Sequence, residues 1–151
     1  MGPPGTVTAH KAGTVGPVTD AEMVRALYEA YQERTWDRAS TLLHLDAVVV
    51  MPSTTERLEG RDAIITFQRS YPEPWGTLSV LRVLTDAEGA AAQVRVVDPG
   101  GREFAFAAFW RAREGLLHEG IEYWIEVGRE DPPSNRADSP ATLAARQAWP
   151  R

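Results

Sequence analysis

The chain has 151 residues, of which 43% are hydrophobic, a formal net charge of -5 and no cysteine. A chain of this length forms one domain with a core large enough to fold without metal or disulfide support. The lack of cysteine excludes a disulfide framework, a thiol nucleophile and thiolate metal sites. The acidic residues are scattered and there is no basic stripe, so nucleic acid is not expected as a partner.

The two ends of the chain are not expected to belong to the folded domain. Residues 1–18 are rich in Gly, Pro, Thr and Val without periodicity and should be a flexible segment. They lack the apolar core of a signal peptide, and no run in the chain approaches a membrane span, so we expect a cytoplasmic protein with no membrane partner. Residues 128–151 are polar and contain prolines, although 141–149 would form a short helix if it found a surface to dock on.

The first half of the chain is predicted to be mainly helical. Thr19-Asp20-Ala21-Glu22 has the spacing of a capping box, and a helix follows to about Arg34. Its apolar residues recur at three- and four-residue spacing and form one stripe, made of Met23, Val24, Leu27, Tyr28 and Tyr31. Further along we expect a second helix at about 36–43, a buried strand at 47–51, a loop or short hairpin at 53–59, and a third helix from residue 60 to before Pro72.

The second half is predicted to be a meander of antiparallel strands. The strands are expected at about 77–85, 90–98, 102–113 and 116–127, and Gly-containing turn signals separate them. Helices followed by long antiparallel strands make an α+β domain.

The last strand carries the most informative residues. Alternation places His118, Gly120, Glu122 and Trp124 on one face of the sheet. A carboxylate among aromatic neighbours is either a perturbed acid or base or a polar anchor for a ligand. His118 does not form a dyad with Glu122, because four residues along a strand span roughly 13 Å at ~3.3 Å per residue.

The order of elements resembles a known family. With Gly60-Arg61-Asp62-Ala63-Ile64 opening the third helix and Glu122-Tyr123-Trp124 in the last strand, residues 19–127 resemble the SnoaL-like branch of the nuclear transport factor 2-like (NTF2-like) superfamily. The resemblance implies a cone, in which three N-terminal helices pack on a strongly curved, mostly antiparallel β-sheet. Members include ketosteroid isomerase, polyketide cyclases, limonene epoxide hydrolase, scytalone dehydratase and non-catalytic binding or dimerisation modules, so the fold alone does not determine the function.

The resemblance to ketosteroid isomerase can be followed residue by residue. The catalytic tyrosine of that enzyme falls on Leu27, its general-base aspartate on Met51 and its oxyanion-hole aspartic acid on Ala108. A hydrocarbon or a thioether at these positions cannot move a proton or stabilise an enolate, so steroid isomerisation by that mechanism is rejected. The same comparison keeps Glu122 on the inner face of the cone.

The predicted inner face is apolar and aromatic with a few polar points, as in small-molecule pockets. Glu122 is the candidate catalytic residue, because burial would disfavour its ionised form and make it a usable acid or base. The candidate ligand-binding residues are Leu27, Tyr31, Met51, Gln68, Phe104, Phe106, Ala108, Trp110, Gly120 and Trp124. The small residues Ala92, Ala108 and Gly120 favour an open cavity.

Two alternatives to an open, catalytic cone stay open. The cone is also compatible with an interior filled by Trp110, Trp124 and Met51. In the second alternative Glu122 has only a structural role, for example in a hydrogen bond to Tyr31 or Gln68 or in an ion pair at the rim.

The outer face of the sheet predicts an interaction. Phe109, Tyr123 and Ile125 make this face too apolar for full exposure to solvent, so we expect a homodimer through it, with cover by the C-terminal segment as the alternative. No metal or other cofactor is expected, because no cluster of His, Asp and Glu has ligand spacing.

The sequence thus leaves two hypotheses. In the first, the domain binds a small, apolar organic molecule and is an isomerase, cyclase, dehydratase or hydrolase that uses Glu122 as acid or base. In the second, it is a non-catalytic dimerisation or partner-binding module with a vestigial pocket.

Overall fold

The structure is a computed structural model that describes residues 18–72 and 75–136. Apart from Val18, the predicted flexible N-terminal segment lies outside these ranges, and so does the predicted helix at 141–149. The described residues form, in chain order, α1 (Asp20–Glu33), α2 (Trp36–Leu42), β1 (Leu43–Met51), β2 (Glu56–Glu59), α3 (Arg61–Arg69), β3 (Thr77–Thr85), β4 (Ala90–Val97), β5 (Glu103–Arg113) and β6 (Leu116–Glu126).

Helix α1 begins at the predicted capping box. The Thr19 hydroxyl accepts a hydrogen bond from the backbone N–H of Glu22, and the Glu22 carboxylate accepts one from the backbone N–H of Thr19. Two of the unpaired donors at the helix start are therefore satisfied. The predicted apolar stripe of α1 is buried, including Leu27, Tyr28 and Tyr31.

The strands form one six-stranded sheet in the order β2-β1-β6-β5-β4-β3. All neighbours pair antiparallel except β1 and β6, which are parallel. The predicted loop or hairpin after β1 is a hairpin, because β2 returns along β1 with Met51 opposite Glu56. Helix α1 packs against β3, β4, β5 and β6, and α3 packs against β1 and β2. The predicted α+β cone is confirmed.

Two local predictions need correction at the start of β1. The second helix ends at Leu42, and β1 begins at Leu43 rather than at residue 47. His44, which directly follows the predicted range of the second helix, therefore lies in a strand. Its ring is buried and hydrogen-bonds with the carboxylate of Glu114 at 3.2 Å.

The alternation in β6 is interrupted by a bulge near His118. The register between β5 and β6 shifts between Arg111 and Ala112, and in β6 both Leu117 and Gly120 are buried although they are three residues apart. His118 therefore does not share one uninterrupted alternating face with Gly120 and Glu122. Its ring packs edge to face on that of His44, with centroids 5.2 Å apart.

Beyond the bulge the two faces of the sheet are well separated. The inner face of β4, β5 and β6 is buried and consists of Ala90, Ala92, Val94, Val96, Phe106, Ala108, Trp110, Gly120 and Glu122. On the outer face Phe109, Tyr123 and Ile125 are 52%, 50% and 56% exposed. The cone interior thus lies between α1 and the inner face of these strands.

Candidate functional site in the cone

Glu122 lies inside the cone, with 3% of its surface exposed. Strand β6 brings it there because Glu122 is directly opposite Ala108 of β5, which is fully buried. The small side chain of Ala108 leaves the interior beside it open to the longer carboxylate. The predicted inward position of Glu122 is what the structure shows.

Two neutral donors hold the carboxylate. The Tyr28 hydroxyl donates to Oε1 of Glu122 at 2.8 Å, and the indole Nε1 of Trp124 donates to Oε2 at 2.9 Å. Within the described ranges, no Lys, Arg or His forms an ion pair with Glu122. The charge of an ionised Glu122 is therefore stabilised by hydrogen bonds alone.

Tyr28 connects this carboxylate to a second tryptophan. The indole Nε1 of Trp110 donates to the Tyr28 hydroxyl oxygen at 2.9 Å, while the hydroxyl proton points to Glu122. Both Tyr28 and Trp110 are buried. Every buried side-chain nitrogen or oxygen in the described part of the chain has a partner, so this network is complete.

The pKa of Glu122 is raised above that of an ordinary glutamate. Burial is the largest cause, because it disfavours the charged form, and the hydrogen bonds from Trp124 and Tyr28 lower the pKa by a smaller amount. Burial and the nearby carboxylate also raise the pKa of Tyr28 well above its usual value. Tyr28 therefore stays protonated near neutral pH.

The two carboxylate oxygens differ in what they can do. An indole N–H is only a donor, so Oε2 faces a group that cannot accept a proton. Oε1 accepts the proton of the Tyr28 hydroxyl, whose oxygen in turn accepts from the indole of Trp110. Glu122 is therefore the group of this network whose protonation can change, because Tyr28 stays protonated.

The ring of Trp110 occupies the space beside Gly120. A Cβ placed on Gly120 would lie 2.7 Å from this ring, which is too close for any side chain. The glycine thus admits a tryptophan instead of leaving an open cavity, contrary to the expectation from the small residues of the inner face. Phe106 and Trp124 stack beside it, with ring centroids 4.1 Å apart and an interplanar angle of 25°.

The other predicted site residues differ in how deeply they are buried. Leu27, Tyr31, Met51 and Ala108 are buried in the interior, as predicted. Phe104, like Trp124, is only partly buried. Gln68 is partly buried on α3, a helix that packs on β1 and β2, and it does not hydrogen-bond Glu122.

Sequence reasoning missed the role of Tyr28. It proposed Tyr31 or Gln68 as partners of Glu122, whereas the hydroxyl that reaches the carboxylate belongs to Tyr28. The signal was present, because Tyr28 lies in the buried stripe of α1 and a buried tyrosine hydroxyl needs a hydrogen-bond partner.

Two surface cavities lie outside this network. A cavity of about 120 Å³ between α1 and β3 is lined by Arg25, Glu29, Gln32, Glu33, Leu78 and Val80. Another of about 230 Å³ between α2 and α3 is lined by Trp36, Asp37, Ser40, Asp62, Ile65, Thr66 and Arg69. Neither contains a residue of the predicted site. In the ranges that the structure covers, no three His, Asp or Glu side chains are placed to hold a metal ion, and no helix is long and apolar enough to cross a membrane.

Solved structures with this architecture are numerous. A crystal structure of a Kribbella flavida protein, provisionally assigned as a ketosteroid isomerase, is 31% identical and superposes with a TM-score of 0.68, covering 78% of this chain and 87% of that chain. An NTF2-like protein of unknown function from Burkholderia xenovorans is 18% identical, with a TM-score of 0.66 and coverage of 78% and 90%. An LEH-like epoxide hydrolase of M. tuberculosis is 16% identical, with a TM-score of 0.61 and coverage of 70% and 82%.

The chain also matches a family model. A search among proteins with curated descriptions gives no match. The family model of the SnoaL-like domain matches residues 24–120, a range that runs from α1 to Gly120 in β6, two residues before Glu122, and spans most of the cone. The chain therefore belongs to the SnoaL-like domain family.

Proposed function

We propose that this SnoaL-like domain binds a small, largely apolar organic molecule in the cone and that Glu122 donates or accepts a proton there. The observation that carries the proposal is the carboxylate of Glu122, buried among aromatic rings with two neutral donors and no cation. Burying a carboxylate in this way is costly, and such costs concentrate at functional sites. The raised pKa gives Glu122 a protonated form at a higher pH than an exposed glutamate has.

The reaction classes that fit are those in which one proton moves on an apolar substrate. Isomerisation, cyclisation, dehydration and hydrolysis all include such a step, and the protonated Tyr28 hydroxyl holds the carboxylate in place at 2.8 Å. Steroid isomerisation through an aspartate base is not included, because the corresponding positions carry Leu27, Met51 and Ala108. The name of the Kribbella flavida protein does not change this.

The test compares the wild-type protein with Glu122→Gln, and with Glu119→Gln as a control on the exposed face of the same strand. The probes are a β,γ-unsaturated cyclic ketone, limonene oxide and a β-hydroxy ketone, with binding measured by ligand-observed NMR and conversion by gas chromatography. We expect Glu122→Gln to keep the fold and to lose conversion by about 100-fold or more, since general acid–base groups contribute at least that factor. Glu119→Gln should behave as the wild type.

The proposal fails if the wild-type protein binds none of the three probes and carbon-detected NMR shows Glu122 titrating like an ordinary glutamate. The cone then has no acid–base function.

The outer face of the sheet supports a second function, which is homodimerisation. Phe109, Ile121, Tyr123 and Ile125 are exposed on the central strands β5 and β6, with Phe109 directly opposite Ile121. The rings of Phe109 and Tyr123 also contact each other edge to face at 6.1 Å. A contiguous apolar surface of this kind is typical of a protein interface, and we infer that a second copy of the chain covers it.

A further inference from the structure

Trp124 is attached to the cone interior in two ways. Its indole N–H donates to Oε2 of Glu122 at 2.9 Å, and its ring stacks on Phe106 with centroids 4.1 Å apart. Glu122 and Phe106 are both buried, whereas Trp124 is only partly so. Trp124 is thus the outermost of the three side chains and separates the carboxylate from solvent.

We propose that Trp124 occupies the ligand position, and that the ligand is a planar aromatic molecule with an N–H or O–H donor. This inference rests on the proposed binding function of the cone. When the indole swings outward, it leaves a flat space against Phe106 and an acceptor, Oε2 of Glu122, without a donor. A phenol, an indole or a similar heteroaromatic N–H compound replaces both contacts.

The donor is required because of how the carboxylate is held. Oε1 already accepts from Tyr28, so the ligand has to satisfy Oε2. An aromatic molecule without a donor would leave a buried carboxylate oxygen unpaired, which weakens binding by about tenfold or more.

The second tryptophan of the network cannot play this role. Trp110 is 2% exposed, its ring lies against Gly120, and its N–H is bonded to Tyr28. Its removal from the interior would disrupt the packing of the cone, whereas an outward rotation of Trp124 leaves Trp110, Tyr28 and Gly120 in place. The ligand competes with the indole of Trp124 for the same position. The apparent affinity of the ligand is therefore its intrinsic affinity multiplied by the fraction of molecules in which Trp124 has rotated outward.

The experiment measures binding of indole and of benzothiophene, which has nearly the same shape but no donor. The proteins are the wild type, Trp124→Ala, and Trp36→Ala as a control for removal of a partly buried tryptophan elsewhere. We expect Trp124→Ala to bind indole at least ten times more tightly than the wild type does, and to prefer indole over benzothiophene about tenfold or more. Trp36→Ala should bind indole with the affinity of the wild type.

A measurement on the wild-type protein does not depend on any variant folding. The five tryptophans give separate indole N–H signals in a ¹⁵N-labelled sample. At saturating indole the Trp124 signal should move toward the position of an exposed tryptophan, while the Trp110 signal stays unchanged. If Trp124→Ala is folded by circular dichroism, its binding data are used. If it is not, Trp124→Phe, which keeps a stacking ring but lacks the N–H, takes its place and should gain affinity for indole.

The possible negative results distinguish the donor requirement, the position of Trp124 and the binding function of the cone. Equal binding of indole and benzothiophene would overturn the donor requirement while the binding function of the cone stands. Equal indole affinity of the wild type and Trp124→Ala, with an unmoved Trp124 signal, would overturn the position assigned to Trp124. Absence of binding in a folded Trp124→Ala, together with no binding of the probes used for the proposed function, would overturn both.

Discussion

Glu122 is held in the cone by two opposing effects on its pKa. Burial raises the pKa, and the hydrogen bonds from Trp124 and Tyr28 lower it, but burial is the larger effect. The ionised carboxylate is therefore less stable in the folded protein than in the unfolded chain, where water solvates it.

This difference predicts how stability depends on pH. Below about pH 4.3, the usual pKa of a glutamate, Glu122 is protonated in both states and carries no ionisation penalty. Above that pH Glu122 ionises in the unfolded chain before it ionises in the folded protein, so the free energy of unfolding falls as the pH rises. The fall ends once the pH has passed the raised pKa of Glu122 in the folded state. The slope is at most about 1.4 kcal/mol per pH unit for one proton.

Urea unfolding of the wild type and of Glu122→Gln between about pH 4 and pH 8 checks this prediction. The wild type should lose stability relative to Glu122→Gln as the pH rises. Glu29→Gln, on the exposed face of α1, serves as the control and should show a constant difference. A difference between the wild type and Glu122→Gln that is flat or rises with pH would contradict the pKa shift.

The individual residues of the site were only partly predictable. The alternation of β6 predicted that Glu122 faces inward, which is confirmed. Tyr31, one of the partners considered for a structural Glu122, is not the donor, because both tyrosines lie in the buried stripe of α1 and the sequence does not determine the direction of each hydroxyl. The bond from Trp110 to Tyr28 joins residues 82 positions apart, and nothing local in the sequence indicates it.

Among the elements, the start of α1 shows what local sequence can predict. Its capping box uses side chains three residues apart, so the signal is entirely local, and Thr19 and Glu22 form both expected hydrogen bonds. The bulge in β6 was missed because it depends on the pairing with β5 and β1, which the sequence of β6 alone does not encode. For the same reason, β1 begins four residues earlier than its β-branched core suggested.

Because Thr19 and Glu22 alone form the capping box of α1, we predict that residues 1–17 are not needed for folding. A chain that begins at Val18 keeps the backbone N–H of Thr19 and so keeps the capping box. Its thermal midpoint should equal that of the full chain, whereas Thr19→Ala in the full chain should lose about 1 kcal/mol, the usual value of an N-cap. Differential scanning calorimetry measures both. A lower midpoint for the shortened chain would show that residues 1–17 contribute to stability.

At the scale of the whole molecule, the order of elements was enough to predict the cone, but not how its interior is filled. The length and period of each segment depend on local sequence, and these predicted two helices, a strand, a third helix and then the antiparallel strands. Whether Gly120 leaves an empty space or admits the ring of Trp110 depends on side chains from two strands meeting in three dimensions. A pattern of small and large residues is compatible with both outcomes.

The outer face of the sheet gives the last prediction, which concerns assembly. A stable interface buries roughly 800 Å² on each partner and is anchored near its centre by large apolar side chains. Phe109, Tyr123 and Ile125 are about half exposed on the two central strands and supply such anchors. We therefore expect the wild type to sediment as a dimer at micromolar concentration.

Tyr123→Arg should convert this dimer to a folded monomer, because it places a charge at the centre of the proposed interface. Tyr71→Arg, at a similarly exposed tyrosine that follows α3 and lies outside the sheet, is the matched control and should remain dimeric. A shortened chain that ends at Arg136 distinguishes the two alternatives for this face, which are cover by a second copy and cover by residues 137–151. If the full chain is a monomer and the shortened chain is a dimer, residues 137–151 cover the face in place of a second copy. If both chains are monomers at micromolar concentration, the face does not bind a second copy, and its exposed aromatic residues require another partner.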